Sequence, residues 1–282
     1  MSLRITLYFF FLMCSISTKA GYILLPMDET TQQNHLKAYG ITYWALDKQY
    51  KVSWLLNYRG GSFLMPDAEE IRKECKIRGV SFELMSDAQT NAILDEIASP
   101  SQNMENVVLE RTPKVAVYTP KGKQPWDDAV TLVLTYAEIP FTPIYDEEVL
   151  SDKLLLYDWL HLHHEDFTGQ YGKFFGAYKN APWYIEQKKE AEALAAKLGY
   201  SKVSEAKLAV AKKIRDFVIG GGFMFAMCSA TDSFDIALAA EGVDICEPMF
   251  DGDPSEGNYQ SKIDYRKKIG RASCRERVLR LV

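Results

Sequence analysis

Histidine is the scarcest reactive residue in this chain. His35, His161, His163 and His164 are the only four among 282 residues, and none follows position 164. Histidine-assisted chemistry must therefore draw on the 161–164 cluster or on His35. Cysteine is almost as sparse. Of five, Cys14 and Cys274 fall in terminal stretches that do not read as mature protein, which leaves Cys75, Cys228 and Cys246. Three scattered thiols with no CxxC pair exclude a disulfide framework and a zinc ribbon. Long apolar runs are missing too: Ile5 to Met13 is the most apolar stretch near the N-terminus, well short of the ~20 residues of a membrane span.

Basic charge is also in short supply. The whole chain carries 33 basic and 38 acidic residues; without Arg4, Lys19, Arg271, Arg275, Arg277, Arg280 and Glu276 of the two ends, 27 face 37. A net charge of −10 excludes nucleic-acid binding, which needs a basic stripe.

The ends set the frame. "MSLRITLYFFFLMCSISTKAGY" has a positive Arg4, a short apolar core and Thr18-Lys19-Ala20 as a small-residue cleavage site. That pattern predicts a signal peptide over 1–20, a mature start near Gly21, and export to the periplasm or cell envelope. The export signal is then the chain's only expected link to a membrane. Residues 269–282 open with "IGRASCRERV", which reads as a translated sequencing adapter, so the authentic chain is expected to reach Lys268 and the gene to continue. An odd number of thiols in an exported monomer leaves at least one unpaired.

From Gly21 onward, short apolar runs alternate with amphipathic stretches. "YILLPM" reads as a strand, "TTQQNHLKAYGITYWALDK" as helical, and "YKVSWLLNYRGGSFLM" as two strands around the Arg59-Gly60-Gly61 turn. Asp67 opens a helix with Gly79 just past its end; "VSFELMS" is a strand and Asp87 starts a short helix. The polar residues 99–112 read as a linker. After them the rhythm becomes regular. "KVAVYTP", "PFTPIYDEEVL", "LLLYDWLHLHHEDF" and "FMFAM" are predicted strands, with helices over "PWDDAVTLVLTYAEI", 186–219 and "TDSFDIALAA". Alternation of this kind predicts βαβ units and a mostly parallel sheet with its ligand site beyond the carboxyl ends of the strands. The expected fold is α/β: a mostly parallel, doubly wound sheet over 113–268, preceded by a smaller α/β region over 21–112.

Lys114 to Ala240 resembles the class I glutamine amidotransferase-like, flavodoxin-type superfamily, through "KVAVYTPKG", "AEIPFTPIYDEEV", "YDWLHLHHEDF" and "IRDFVIGGGFMFAMCSAT". The chain as a whole, through "HLKAYGITYW", "WLLNYRGGSF" and "YDWLHLHHEDFTGQYGKF", resembles a family of exported bacterial proteins often labelled asparagine synthetase B. The first resemblance implies a nucleophile elbow at Cys228. The superfamily's elbow is usually G-x-C-x-G, and here Ala226 and Ala230 stand in place of both glycines. The superfamily takes its His-x-Glu pair from a late strand, which here would lie beyond the expected truncation or be missing. Glutamine-dependent asparagine synthetases carry an N-terminal cysteine and an SGGxDS loop; cleavage here would expose Gly21, and "CSATDS" keeps only Asp232 and Ser233 of that loop.

Each chemical reading has a plainer one beside it. Cys228 at a strand end is either a thiolate nucleophile activated by the amides of the following helix or a buried structural cysteine. "HLHHEDFTG" supplies His163, His164, Glu165 and Asp166, either to shuttle protons and touch ligand or to face a helix layer. His161 and His163 beside carboxylates are also a donor set for Zn²⁺ or Fe²⁺. The aromatic run "FTGQYGKFFGAYKNAPWY" is either a ligand-contacting flap or an apolar cover on the sheet edge. "DGDPSEGN" reads as a solvated acidic turn.

The leading expectation is an exported, cysteine-dependent amide or acyl hydrolase, with Cys228 as nucleophile and His164 and Glu165 moving protons. His163, Asp166, Ser229 and Asp232 would contact the ligand, and no metal or cofactor is expected. The alternative is a non-catalytic envelope protein that holds a small molecule, glycan or peptide, or a protein partner, in the same crevice. Glutamine-dependent asparagine synthesis ranks third.

Overall fold

The computed structural model describes residues 21–120, 129–171 and 174–269. The expected signal peptide at 1–20, the adapter-like residues from 270 on, and the first turn expected for the helix after "KVAVYTP" lie outside them. Contacts divide the chain into two compact units, with the boundary in the sequence between Thr112 and Pro113.

The first unit is built on an antiparallel sheet of β1 (Tyr22–Leu25), β2 (Val52–Leu56), β3 (Ser62–Pro66), β4 (Glu83–Met85) and β5 (Glu105–Leu109), in the order β4-β1-β3-β2-β5. Helices α1 (His35–Asp47) and α2 (Glu69–Arg78) enclose one apolar cluster with Ile23, Leu25, Phe63 and Met65. Helix α3 (Asp87–Ile97) closes the other face over Leu24, Leu55 and Leu64. Side chains alternate across a strand, so a strand covered on both faces is apolar at every position, which is why "YILL" shows no alternation. Each such buried side chain contributes about 1.5–3 kcal/mol.

Local chemistry sets the turns. Ser86 and Gln89 form a reciprocal capping box at the start of α3, and Gly79 ends α2 in the left-handed conformation. Gly60 has φ +79° and lies so close to Met27 that a Cβ would sit 2.4 Å from its carbonyl oxygen. Arg59 in that turn is engaged internally, with its guanidinium on Asp28 at 3.0 Å and on Glu83 at 2.9 Å.

The linker expected at 99–112 is corrected: Glu105–Leu109 is the edge strand β5, which pairs antiparallel with all five residues of β2. An edge strand with one solvated side can be polar, so "ENVVL" lacks the apolar signature of its neighbours.

The second unit carries a parallel four-stranded sheet, β6 (Val115–Tyr118), β7 (Phe141–Ile144), β8 (Trp159–Leu162) and β9 (Phe223–Ala226), ordered β7-β6-β8-β9. Helix α4 (Ala129–Ala137) covers Val115 and Val117 through Leu134. On the opposite face lie α5 (Asp146–Leu150), α8 (Val203–Ile219) and α9 (Ser229–Ala239), packed on Ala116, Tyr118, Leu160 and Leu162. Helices α6 (Phe174–Tyr178) and α7 (Pro182–Lys197) precede α8, and α10 (Pro248–Asp251) follows α9. The protein is therefore α/β, with one parallel and one antiparallel sheet. Among the described residues no helix is long and apolar enough to cross a membrane.

Three boundaries differ from the sequence reading. The acids after "FTPI" start α5 rather than end a strand, "LLLYDWLHLHHEDF" is a strand only over Trp159–Leu162, and the 186–219 helical region is two helices parted at Gly199. In each case a turn residue or a helix-starting acid interrupts what reads as one element.

Candidate functional site

All four strands of the parallel sheet point their carboxyl ends the same way, and their exit loops converge there. β6 leads into Pro120, β7 into Tyr145, β8 into His163–Asp166 and β9 into Met227–Cys228. Strands β7 and β8 flank β6 on opposite sides, and α4 and α5 lie on opposite faces, so the chain reverses its winding beside β6. Open parallel sheets place ligands at such a point. A cavity of about 290 Å³ opens here, with Pro120, Tyr145, His164, Glu165, Tyr171 and Lys207 among its walls.

Lys207 forms part of that wall from α8. Its Nζ donates to Asp146 at 2.9 Å, to the Tyr118 hydroxyl at 2.9 Å and to the Tyr145 hydroxyl at 3.0 Å. The Tyr118 hydroxyl in turn donates to Asp146. Nζ also sits 4.2 Å from the centre of the Tyr145 ring. Burial disfavours the ammonium, but Asp146 and the tyrosines outweigh it, so the Lys207 pKa is raised and the group is charged. Burial, reinforced by Asp146, pushes the Tyr118 phenol well above its ordinary value. The sequence reading missed Lys207. Its signal was position: it takes the place of an apolar residue three before Val210 and four before Ala211, both fully buried on α8.

Cys228 lies between β9 and α9 with φ +55° and ψ −141°, a conformation that only glycine adopts without strain. Holding another residue there costs about 1–3 kcal/mol. Cys228 itself takes these angles, with Ala226 and Ala230 two residues away on either side. Ala230 is fully buried beside it. The Cys228 thiol is exposed, whereas Cys75 and Cys246 are buried and burial pushes each up to about 12. Cys228 is not among the residues that line the cavity.

The loop after β8 is fastened to the first turns of α9. The Ala230 N–H donates to the His163 carbonyl at 3.3 Å, the Ser229 hydroxyl to the His164 carbonyl at 2.8 Å, and the Ser233 hydroxyl to the Glu165 carbonyl at 2.9 Å. Within the loop, a Glu165 carboxylate oxygen accepts the His163 N–H at 3.1 Å. The His163 and His164 Nδ1 atoms lie 3.2 Å apart, so one ring donates to the other. Asp166 is committed to loop shape: it accepts from the Thr168 hydroxyl at 2.7 Å and the Tyr171 N–H at 2.9 Å.

The structure thus brings together most of the residues singled out in the sequence. His164, Glu165 and Asp166 line the cavity, while Ser229 and the His163 backbone tie the loop to the elbow. Asp232 is exposed in the first turn of α9. Residues 229–233 are helical, so "CSATDS" does not form a glycine-type loop. His161 is buried, off the loop, and stacked on Phe225 with ring centres 5.6 Å apart. The aromatic run packs partly on itself, with Phe174 and Trp183 at 6.2 Å, and partly on Phe250, whose ring lies 5.2 Å from Phe175.

Among the described residues, the grouping with metal-ligand spacing is Asp244, Asp251 and Asp253 rather than the histidines. The Lys202 ammonium lies among those three acids, at 2.7, 3.4 and 2.6 Å, where a cation would sit. The "DGDP" acids are therefore paired with a lysine, not only solvated. Searches with family models, among curated proteins and among solved structures find no match to this chain.

Proposed function

We propose that this chain is a cysteine-dependent amide or acyl hydrolase of the amidotransferase-like type, exported from the cell, with Cys228 as its nucleophile. The observation that carries the reading is the strained backbone at Cys228, an exposed thiol on a sharp strand-to-helix turn at the start of an eleven-residue helix. A nucleophile elbow needs that geometry, which lifts the reacting atom clear of the sheet and aims helix amides at the developing charge. The strand order β7-β6-β8-β9, second-first-third-fourth in chain order, supports a flavodoxin-type doubly wound unit.

In this reading the Cys228 thiolate attacks the carbonyl carbon of the substrate. The Ser229 amide receives the oxyanion, because the Ala230 amide already donates to the His163 carbonyl. The C–N or C–O bond breaks as His164, backed by Glu165, gives a proton to the leaving group. Water, deprotonated by the same pair, then releases the acid and restores the thiolate. The cavity beside His164 and Glu165 receives the substrate.

A second reading is favoured by one observation: the cavity is lined in part by Tyr145, Tyr171 and Phe174, and Cys228 is not in its wall. A non-catalytic envelope protein that binds a glycan or peptide would use the cavity alone. The asparagine synthetase reading finds no support in the helical residues 229–233.

Incubation with p-nitrophenyl acetate separates the two. The hydrolase reading expects a nitrophenol burst and an acetyl adduct on Cys228, both absent in Cys228→Ser. No burst and no adduct would leave the binding protein in place.

A further inference from the structure

We infer that Ser233, with Ser229, is a positioning residue that sets the reactivity of Cys228 by holding the histidine loop against the elbow; this rests on the hydrolase reading above. Residues 229 and 233 are four apart on α9 and therefore share one face of the helix. Serine inside a helix ordinarily bonds its own preceding turn or water. These two instead reach outward to successive carbonyls of another segment, His164 at 2.8 Å and Glu165 at 2.9 Å. The Ala230 amide takes the carbonyl before them, so three consecutive peptide units of the loop are fixed to the first turns of α9.

The tether works at close range to the strained residue. Ser229 follows Cys228 directly, and the Thr231 hydroxyl closes on the Cys228 carbonyl at 2.7 Å. Ser233 is buried, so its bond to Glu165 does not compete with bulk water. On the loop side, the Glu165 carboxylate accepts the His163 amide, and the His163 and His164 rings share an Nδ1 contact. Cutting the Ser233 bond frees the peptide between Glu165 and Asp166. The carboxylate and the imidazole pair then lose their fixed distance from the elbow. Geometric losses near 1 Å cost reactive groups about a hundredfold in rate.

The sign of the effect distinguishes positioning from mere packing. A loop that only packs against the turn would, once loosened, leave the alkylation of the exposed thiol unchanged or faster. A loop that activates the thiol would, once loosened, slow it. The test measures the iodoacetamide alkylation rate of Cys228 at neutral pH in the full chain, with the thiol identified by peptide mass and the fold checked by thermal unfolding. Ser233→Ala is expected to slow alkylation about tenfold or more, and Ser233→Thr, which keeps the hydroxyl, to restore most of the rate. If Ser233→Ala does not fold, Ser229→Ala, a half-buried position, is expected to show the same slowing.

A reactive wild-type thiol whose rate is unchanged or faster in these alanine variants overturns this inference and leaves the hydrolase reading standing. A wild-type Cys228 no faster than a small free thiol overturns both together.

Discussion

Lys207 and Asp146 face each other across 2.9 Å in the interior of the second unit, each side chain only 6% exposed. The pair joins α8 to the start of α5, and through Tyr118 to the end of β6. Removing one partner leaves the other charge buried without compensation, at a cost of about 3–5 kcal/mol. We expect Lys207→Met and Asp146→Leu each to lower stability by that order. The double variant Lys207→Met with Asp146→Leu should recover most of the loss. Urea unfolding of the three proteins measures it, and additive single losses would contradict the pairing.

Strain at Cys228 gives a second expectation. Cys228→Gly removes the side chain that makes φ +55° costly, and should stabilise the protein by about 1 kcal/mol while abolishing thiol chemistry. Cys228→Ala keeps a Cβ and the strain, and should leave stability near wild type. Equal unfolding midpoints for Gly and Ala variants would show that the turn stores no strain.

Alkaline pH should weaken the fold. Burial holds Cys75 and Cys246 protonated up to about 12, whereas an unfolded thiol ionises near about 8.5. The folded state therefore keeps protons that the unfolded chain has released, and stability falls as pH rises between those values. Each thiol contributes a slope of up to about 1.4 kcal/mol per pH unit. The raised Tyr118 and Lys207 act in the same direction. Unfolding midpoints at pH 7.5, 9 and 10.5 should decline, less steeply in Cys246→Ala.

The same burial predicts selective labelling. In native protein at neutral pH, a thiol reagent should modify Cys228 and spare Cys75 and Cys246, both of which become reactive after denaturation. Modification of a buried cysteine without unfolding would show that one of the two clusters opens.

Much of the fold was legible in the sequence because its signals are local. Gly79 after α2, Asp87 at the start of α3 and the apolar runs of β6 and β9 each mark an element by its own composition. β5 was not legible, because its order comes from its partner β2 and not from its own polar residues. The antiparallel pairing of the first sheet is likewise a property of topology. At the site, Cys228 and the His163–Asp166 loop stood out by residue type. Lys207 did not, since a lysine in a helix is usually solvated and only its apolar register marks it as buried. The elbow conformation could not be read from composition, because the glycines that normally announce it are replaced by Ala226 and Ala230.

The pairing of β8 with β9 also bears on the order of assembly. Trp159 and Phe223 are neighbours in the sheet, yet about sixty residues separate them, and closing such a segment carries an entropic penalty that grows with its logarithm. Strands β6, β7 and β8 can associate before that closure; β9 cannot. The turn at Cys228 and the anchoring of the histidine loop both depend on β9, so they form only once β9 has docked on β8. Chains caught before that step would hold three strands of the sheet without the Cys228 turn. Labelling of Cys228 during refolding, resolved by peptide mass, would then report the docking of β9.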